Sequence, residues 1–135
     1  MRAKAALIAH CKKNKIALVT TGGAGGRVDP SRVQVDDLSR TIQDALASNV
    51  RARLRKEYGF TRDPKKKFGV ECVFSPEQLR RPVAEACEVP GGDAVAEAAS
   101  PQGLSCAGYG SSVAVTSTFG MIAAARLLDR IATAK

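Results

Sequence analysis

The sequence is short of the groups that usually announce a metal or redox centre. It has one histidine, His10, and four cysteines, Cys11, Cys72, Cys87 and Cys106, none of which forms a Cys-x-x-Cys pair. Zinc ribbons and redox dithiols need closely spaced thiols, so neither is indicated, and a lone imidazole has no second ring with which to share a metal. No secretory signal is evident, which makes a reducing, cytoplasmic setting the expectation. Residues 1–28 contain six Lys or Arg and no acid. The glycine-rich stretch Thr20, Thr21, Gly22, Gly23, Ala24, Gly25, Gly26 lacks the Lys and Ser/Thr of a P-loop. The residues after it, Arg27, Val28, Asp29 and Pro30, begin no helix. A phosphate loop needs a helix N-terminus whose free N–H groups hold the anion, so this stretch is not a self-sufficient nucleotide site.

What is present suits one small α/β domain, residues 1–135, with a basic, regionally distributed charge. The 135 residues are 44% hydrophobic and carry a formal net charge of +8, which favours an anionic partner without deciding the fold. Residues 51–81 hold ten Lys or Arg against four acids. In that stretch Arg51, Arg53, Arg55, Lys56, Lys65, Lys66 and Lys67 are candidate contacts for nucleic-acid phosphate, a solvated helix face and loop being the equally good alternative.

Periodicity gives the elements. Residues 1–14 read as an uncapped helix with Ala3, Leu7 and Cys11 on its apolar face and Ile8 beside them. The run Ile16, Ala17, Leu18, Val19 reads as a buried strand ending at the glycines. There four glycines in five residues let backbone pass close to a ligand or to another segment, or simply turn the chain. Residues 31–38 alternate, with Val33 and Val35 on one face of a half-buried strand. Residues 44–58 form an amphipathic helix, started by Asp44 and stopped by Gly59, whose apolar face is Leu46, Val50, Leu54 and Tyr58. A strand follows with Phe68, Val70, Cys72 and Phe74 on one face, which makes Cys72 a packed thiol. Residues 76–110, which include Cys87, lose all periodicity and are expected to be irregular, with Cys106 also in that stretch. Residues 110–134 predict a small-residue helix buried against the sheet. The uncharged run 104–125 is long enough to attract a hydropathy search, but Arg126, Asp129 and Arg130 follow at once, so membrane insertion is not expected.

Four ordered segments carry a resemblance: residues 3–30 with the glycine-rich stretch, 35–44 (Val-Asp-Asp-Leu-Ser-Arg-Thr-Ile-Gln-Asp), 69–78 (Gly-Val-Glu-Cys-Val-Phe-Ser-Pro-Glu-Gln) and 112–120 (Ser-Val-Ala-Val-Thr-Ser-Thr-Phe-Gly). They are similar to the C-terminal half of the tRNA threonylcarbamoyladenosine dehydratase family. This family lies in the ThiF/MoeB/HesA superfamily of ubiquitin-activating-enzyme-like proteins. The resemblance implies a partial ThiF-like, Rossmann-type domain and a reaction in which ATP and magnesium serve to adenylate a carboxylate on tRNA, which then cyclises with loss of water. The family's nucleotide and magnesium groups lie upstream of the residue matching Met1, so the chain alone is expected neither to bind ATP well nor to catalyse. Thr21, Gly22, Gly23, Gly25 and Gly26 would then lie beside the adenylate. A homodimer is implied, and the chain reads as either a fragment or one piece of a split gene whose other half lies on another chain. Two other classes stay open: an adenylating fragment that serves a sulfur-carrier or ubiquitin-like protein, against which the absence of paired cysteines counts, and a non-catalytic basic module that binds RNA or a partner protein.

Overall fold

The computed structural model describes residues 1–79 and 110–133. The expected irregular stretch lies outside the described residues except at its ends, and Cys87 and Cys106 lie outside them altogether. The elements run α1 (Arg2–Lys13), β1 (Val19–Thr21), β2 (Gln34–Asp37), α2 (Ala45–Glu57), β3 (Glu71–Phe74) and α3 (Val113–Thr133). The sheet order is β1-β3-β2, with β1 parallel and β2 antiparallel to the central β3. Helices α1 and α2 cover one face and α3 the other.

The first strand begins three residues later than the apolar run suggests. Helix α1 ends in a Schellman arrangement: Lys15 is left-handed (φ 55), and Ile16 N–H returns to Cys11 O at 2.9 Å. That turn leaves Ile16 exposed and delays entry into the sheet until Val19. The packed face of α1 is also rotated from the expected one, because Ala5, Ile8 and Cys11 are buried whereas Leu7 is 58% exposed. The i, i+4 spacing of Ala3, Leu7 and Cys11 is compatible with a helix, but α2 approaches the stripe one position round.

Helix α2 follows its pattern closely. Asp44 caps it by accepting from Ala47 N–H at 2.8 Å, Val50 and Leu54 are buried, and Gly59 (φ +68) ends it. Tyr58, counted on the apolar face, is 41% exposed beyond the last turn. The alternation in β3 holds as well: Phe68, Val70, Cys72 and Phe74 join Ile8, Val50 and Leu54 in one core, while Val73 faces the other way against Val115 and Phe119. Each large apolar side chain buried there contributes about 1.5–3 kcal/mol, so this face supplies most of the driving force. Burial, then the Asp44 carboxylate, push the Cys72 thiol up to about 12, so it is a neutral packing group at physiological pH.

Helix α3 departs from its expected burial. Only Val115 and Phe119 are buried, and Val113, Met121, Leu128 and Ile131 stand exposed on the side away from the sheet. The small residues of this helix permit close packing on one side, but no described layer lies beyond it. Among the described residues no helix is long and apolar enough to cross a membrane.

The short strands are tied together by a carboxylate. Asp37, at the end of β2, accepts the N–H groups of Phe68 (2.9 Å), Gly69 (2.6 Å) and Val70 (3.1 Å) as well as Ser39 N–H (2.9 Å). Burial pushes its carboxyl up, but the hydrogen bonds from Ser39, Phe68 and Val70 outweigh burial and hold it below the usual carboxylate range. A depressed folded-state value means that the stabilisation is complete above the unfolded carboxylate value, about 4, and is lost as the pH falls through the lower folded value. Asp37→Asn leaves two of these N–H groups facing an amide NH₂ and is expected to cost roughly 2–4 kcal/mol at neutral pH. Urea unfolding from pH 7 to pH 3 should show the gap between wild type and variant closing in acid; a constant gap would mean that the carboxylate charge is not what holds the strands.

Candidate functional site

The glycine-rich turn sits at the carboxyl end of β1, where parallel strands of open α/β sheets present their loops to ligands. Thr21 closes the strand, and its carbonyl accepts the Lys4 ammonium from α1. Gly22 N–H prolongs the parallel ladder to Val73 O at 2.8 Å. The chain then bends against Asp44: Gly23 N–H donates to Asp44 Oδ2 at 2.9 Å, and a Cβ on Gly22 would lie 1.9 Å from that oxygen. The close approach for which Gly22 is needed is thus made by a carboxylate of the same chain. Gly26 (φ 70) requires the left-handed region and donates to Gly110 O at 3.2 Å, which ties the turn to the entrance of α3. Gly25 is exposed beside the same carbonyl.

Asp44 is shared by three elements. Its Oδ1 caps α2, its Oδ2 holds the glycine turn, and the Arg27 guanidinium stands 3.8 Å away with both side chains almost wholly buried. Arg27 Nη2 also donates to Gln43 O at 2.7 Å, holding Gln43 in the left-handed conformation (φ 53) that delivers Asp44 to the cap. Arg27 Nε has no partner among the described residues. Burial holds the guanidinium below its ordinary value, partly offset by Asp44 and Glu77. Downstream, Glu77 accepts both Val28 N–H and Asp29 N–H at 3.1 Å, closing the loop from the other side. Arg27, Asp44 and Lys4 were not singled out as site residues from the sequence. The cap position of Asp44 is a sequence signal, but its reach across 21 residues to Gly23 is set by the tertiary fold.

This geometry tests the turn as a phosphate cradle. After the glycines comes a single 3₁₀ turn, Pro30–Arg32, and the space above Gly22 is occupied by the Asp44 carboxylate, which would repel an anion. These residues alone do not fit ATP phosphates. Among the described residues no cluster of three or more His, Cys, Asp or Glu is placed to hold a metal ion.

The candidate basic residues separate into two groups. Arg51 turns inward to Thr41 O (2.9 Å) and the Thr41 hydroxyl. Arg55 donates to Thr61 O (3.3 Å) and lies over the Phe68 ring at 5.4 Å. Arg53 pairs with Glu57 at 2.8 Å on the same helix. Lys56 and the loop residues Lys65, Lys66 and Lys67 are exposed.

A mixed sheet between two helical layers, with a glycine turn at the carboxyl end of its first strand, is part of a ThiF-like α/β domain. No protein-family profile matches the sequence. The chain is homologous to tRNA threonylcarbamoyladenosine dehydratase: it is 46% identical to the Escherichia coli protein over 134 residues, which is 97% of this chain, and 42% identical to the Haemophilus influenzae protein over 133 residues. It spans about half the length of these relatives, 48% and 47% respectively. Crystal structures of the Escherichia coli enzyme in complex with ATP and with AMP superpose on 94% of the chain with a TM-score of 0.72, covering 42% and 43% of those chains at 43% and 42% identity. The matched part is the C-terminal half of those structures.

The contact between Gly22 and Asp44 can be tested by a double-mutant cycle. Gly22→Ala is expected to cost roughly 1–3 kcal/mol by overpacking, and close to nothing in an Asp44→Ala background. Gly23→Ala, whose nearest contact would be 3.8 Å away, should be mild. Additive losses in urea unfolding of the Gly22 and Asp44 variants would show that the two groups do not press on each other.

Proposed function

We propose that the chain is the C-terminal part of an ATP-dependent tRNA threonylcarbamoyladenosine dehydratase, in which a carboxylate is adenylated and then cyclised with loss of water. The observation that carries this is the 46% identity along 97% of the chain, together with superposition on the ATP complex of the Escherichia coli enzyme. In this reading the turn from Thr21 to Gly26 forms the wall beside the adenylate, and Asp44 and Arg27 hold that wall in place. When bound, ATP would supply the AMP leaving group and magnesium would offset phosphate charge, with the residues that hold them expected in the other half. Loop residues Lys65, Lys66 and Lys67, with Lys56, are the candidates for tRNA phosphate. Arg51, Arg53 and Arg55 serve α2 first, since their guanidiniums are already engaged. The substrate implies a cytoplasmic location.

The chain by itself should be catalytically silent. ATP–pyrophosphate exchange with purified chain and tRNA is expected to stay at background, and to rise when a polypeptide spanning the unmatched half of the Escherichia coli relative is supplied. Exchange by the chain alone would overturn the division of labour proposed here.

We also propose that the exposed stripe of α3 pairs with a second copy. Val113, Met121, Leu128 and Ile131 recur at helical spacing on the face turned away from the sheet and are 61–79% exposed. Sedimentation should report a dimer that Leu128→Glu converts to monomer without loss of helical signal. A wild-type monomer at tens of micromolar would remove this proposal.

A further inference from the structure

At the end of the sheet opposite the glycine turn, where β3 begins, lies an open recess of about 410 Å³. Four elements or loops meet there. Lys67 stands on one lip, Arg126 and Arg130 come from α3, and Glu71 lies between them. A smaller hollow beside it, lined by Lys12 and sharing Gly69, Val70 and Arg130, continues the surface towards the end of α1. Residues distant in sequence thus bring four cations to one stretch of surface.

The two arginines are already oriented. Arg126 donates through Nη2 and Nε to the Glu71 carboxylate at 2.7 and 3.3 Å, and Arg130 lies 3.2 Å from the same carboxylate while donating to Leu18 O at 3.3 Å. One carboxylate serves two guanidiniums, and each guanidinium retains N–H donors beyond those used. The other acids of the recess, Asp36 and Asp37, keep their charge while accepting backbone N–H groups, so its three carboxylates balance Lys67, Arg126 and Arg130, and the positive excess of this surface comes from Lys12 in the neighbouring hollow and from Lys65 and Lys66 beside Lys67. Asp37 is held by four N–H groups, and Asp36 Oδ1 accepts Asp37 N–H at 2.6 Å. The side chains of Arg126 and Arg130 remain 47% and 36% exposed, so an incoming anion need not displace the fold to reach them.

We propose that this surface, Lys67, Arg126, Arg130 and Lys12, binds the phosphate backbone of RNA. A row of cations along two connected hollows suits a chain of phosphates better than a single small anion, and the adjoining exposed lysines Lys65 and Lys66 extend the same field. The site rests on the tRNA reading above but is distinct from the adenylation end of the sheet. It would grip RNA away from the reacting nucleoside and fix its orientation, because backbone contacts position without reading sequence. Neither arginine stood out in the sequence, where Arg126 and Arg130 merely ended an apolar run.

The test is fluorescence anisotropy of labelled tRNA with the full 135-residue chain at several salt concentrations. Wild type should lose affinity steeply as salt rises, and Arg126→Gln should make the slope of log K against log salt shallower by about 1, with the Arg126→Gln/Arg130→Gln pair shallower still. Arg126→Gln alone keeps the Arg130–Glu71 pair that holds α3, so it decides the matter if the double variant unfolds by circular dichroism. Binding that ignores salt overturns the proposal, as does an unchanged slope in a folded Arg126→Gln variant, which would put the RNA contact elsewhere on the chain. The measurement needs no ATP, so its failure is separate from a failure of adenylation.

Discussion

The carboxylate of Asp44 is the constraint on which the glycine turn depends. One oxygen starts α2 and the other receives Gly23 N–H, so the turn after β1 and the helix that backs the sheet are fixed by the same group. Arg27 makes this arrangement tolerable in a buried place. Removing either charge from such a pair leaves the other buried and uncompensated, which commonly costs several kcal/mol, far more than the net worth of the pair itself. Gln43 is held in a strained conformation by the same guanidinium. The strain is small, of order 1 kcal/mol, beside what that buried pair controls.

The sheet has the same logic at its other end. Three strands of three or four residues cannot supply many ladder bonds, and Asp37 replaces the missing ones by collecting four N–H groups from the approach to β3 and its own turn. Glu71 then fastens α3 through two arginines. Three carboxylates therefore occupy the junctions where layers meet. A basic chain of net charge +8 spends much of its small acidic complement on architecture, and this leaves Lys56, Lys65, Lys66 and Lys67 exposed on the surface. The basic surface follows from how the acids are used as much as from how many cations there are.

Much of this was legible in the sequence, and the remainder was hidden for physical reasons. The elements that rest on local signals came through: Asp44 as a cap, Gly59 as a stop, and the alternation of Phe68, Val70, Cys72 and Phe74. The family relationship was legible too, because four motifs occur in order. Errors arose where a choice between neighbouring faces is made by the partner element. Leu7 and Ile8 are equally apolar, and only the approach of α2 buries Ile8 and leaves Leu7 in water. Composition likewise failed for α3, since its small residues allow close packing on every side while the described layers supply a neighbour on one. Charge counting placed Arg51 and Arg55 with the lysines. Carbonyls of Thr41 and Thr61, invisible to periodicity, draw them inward.

The glycines show how a close approach can be read from sequence without the group that makes it. Four glycines at the end of a strand imply that something comes close, and in this chain the group that comes close to Gly22 is Asp44. An anionic ligand and a buried carboxylate cannot share that space, so any phosphate the proposed reaction requires would be held by cations elsewhere. If the proposed function holds, a wall of backbone fixed by hydrogen bonds from Gly22, Gly23 and Gly26 would let an acyl group lie close while a separate cluster of charges handled the leaving group. In the proposed reading that separation would divide the work, with the nucleotide gripped elsewhere while this chain offers a preorganised turn at one end of its sheet and a basic face at the other.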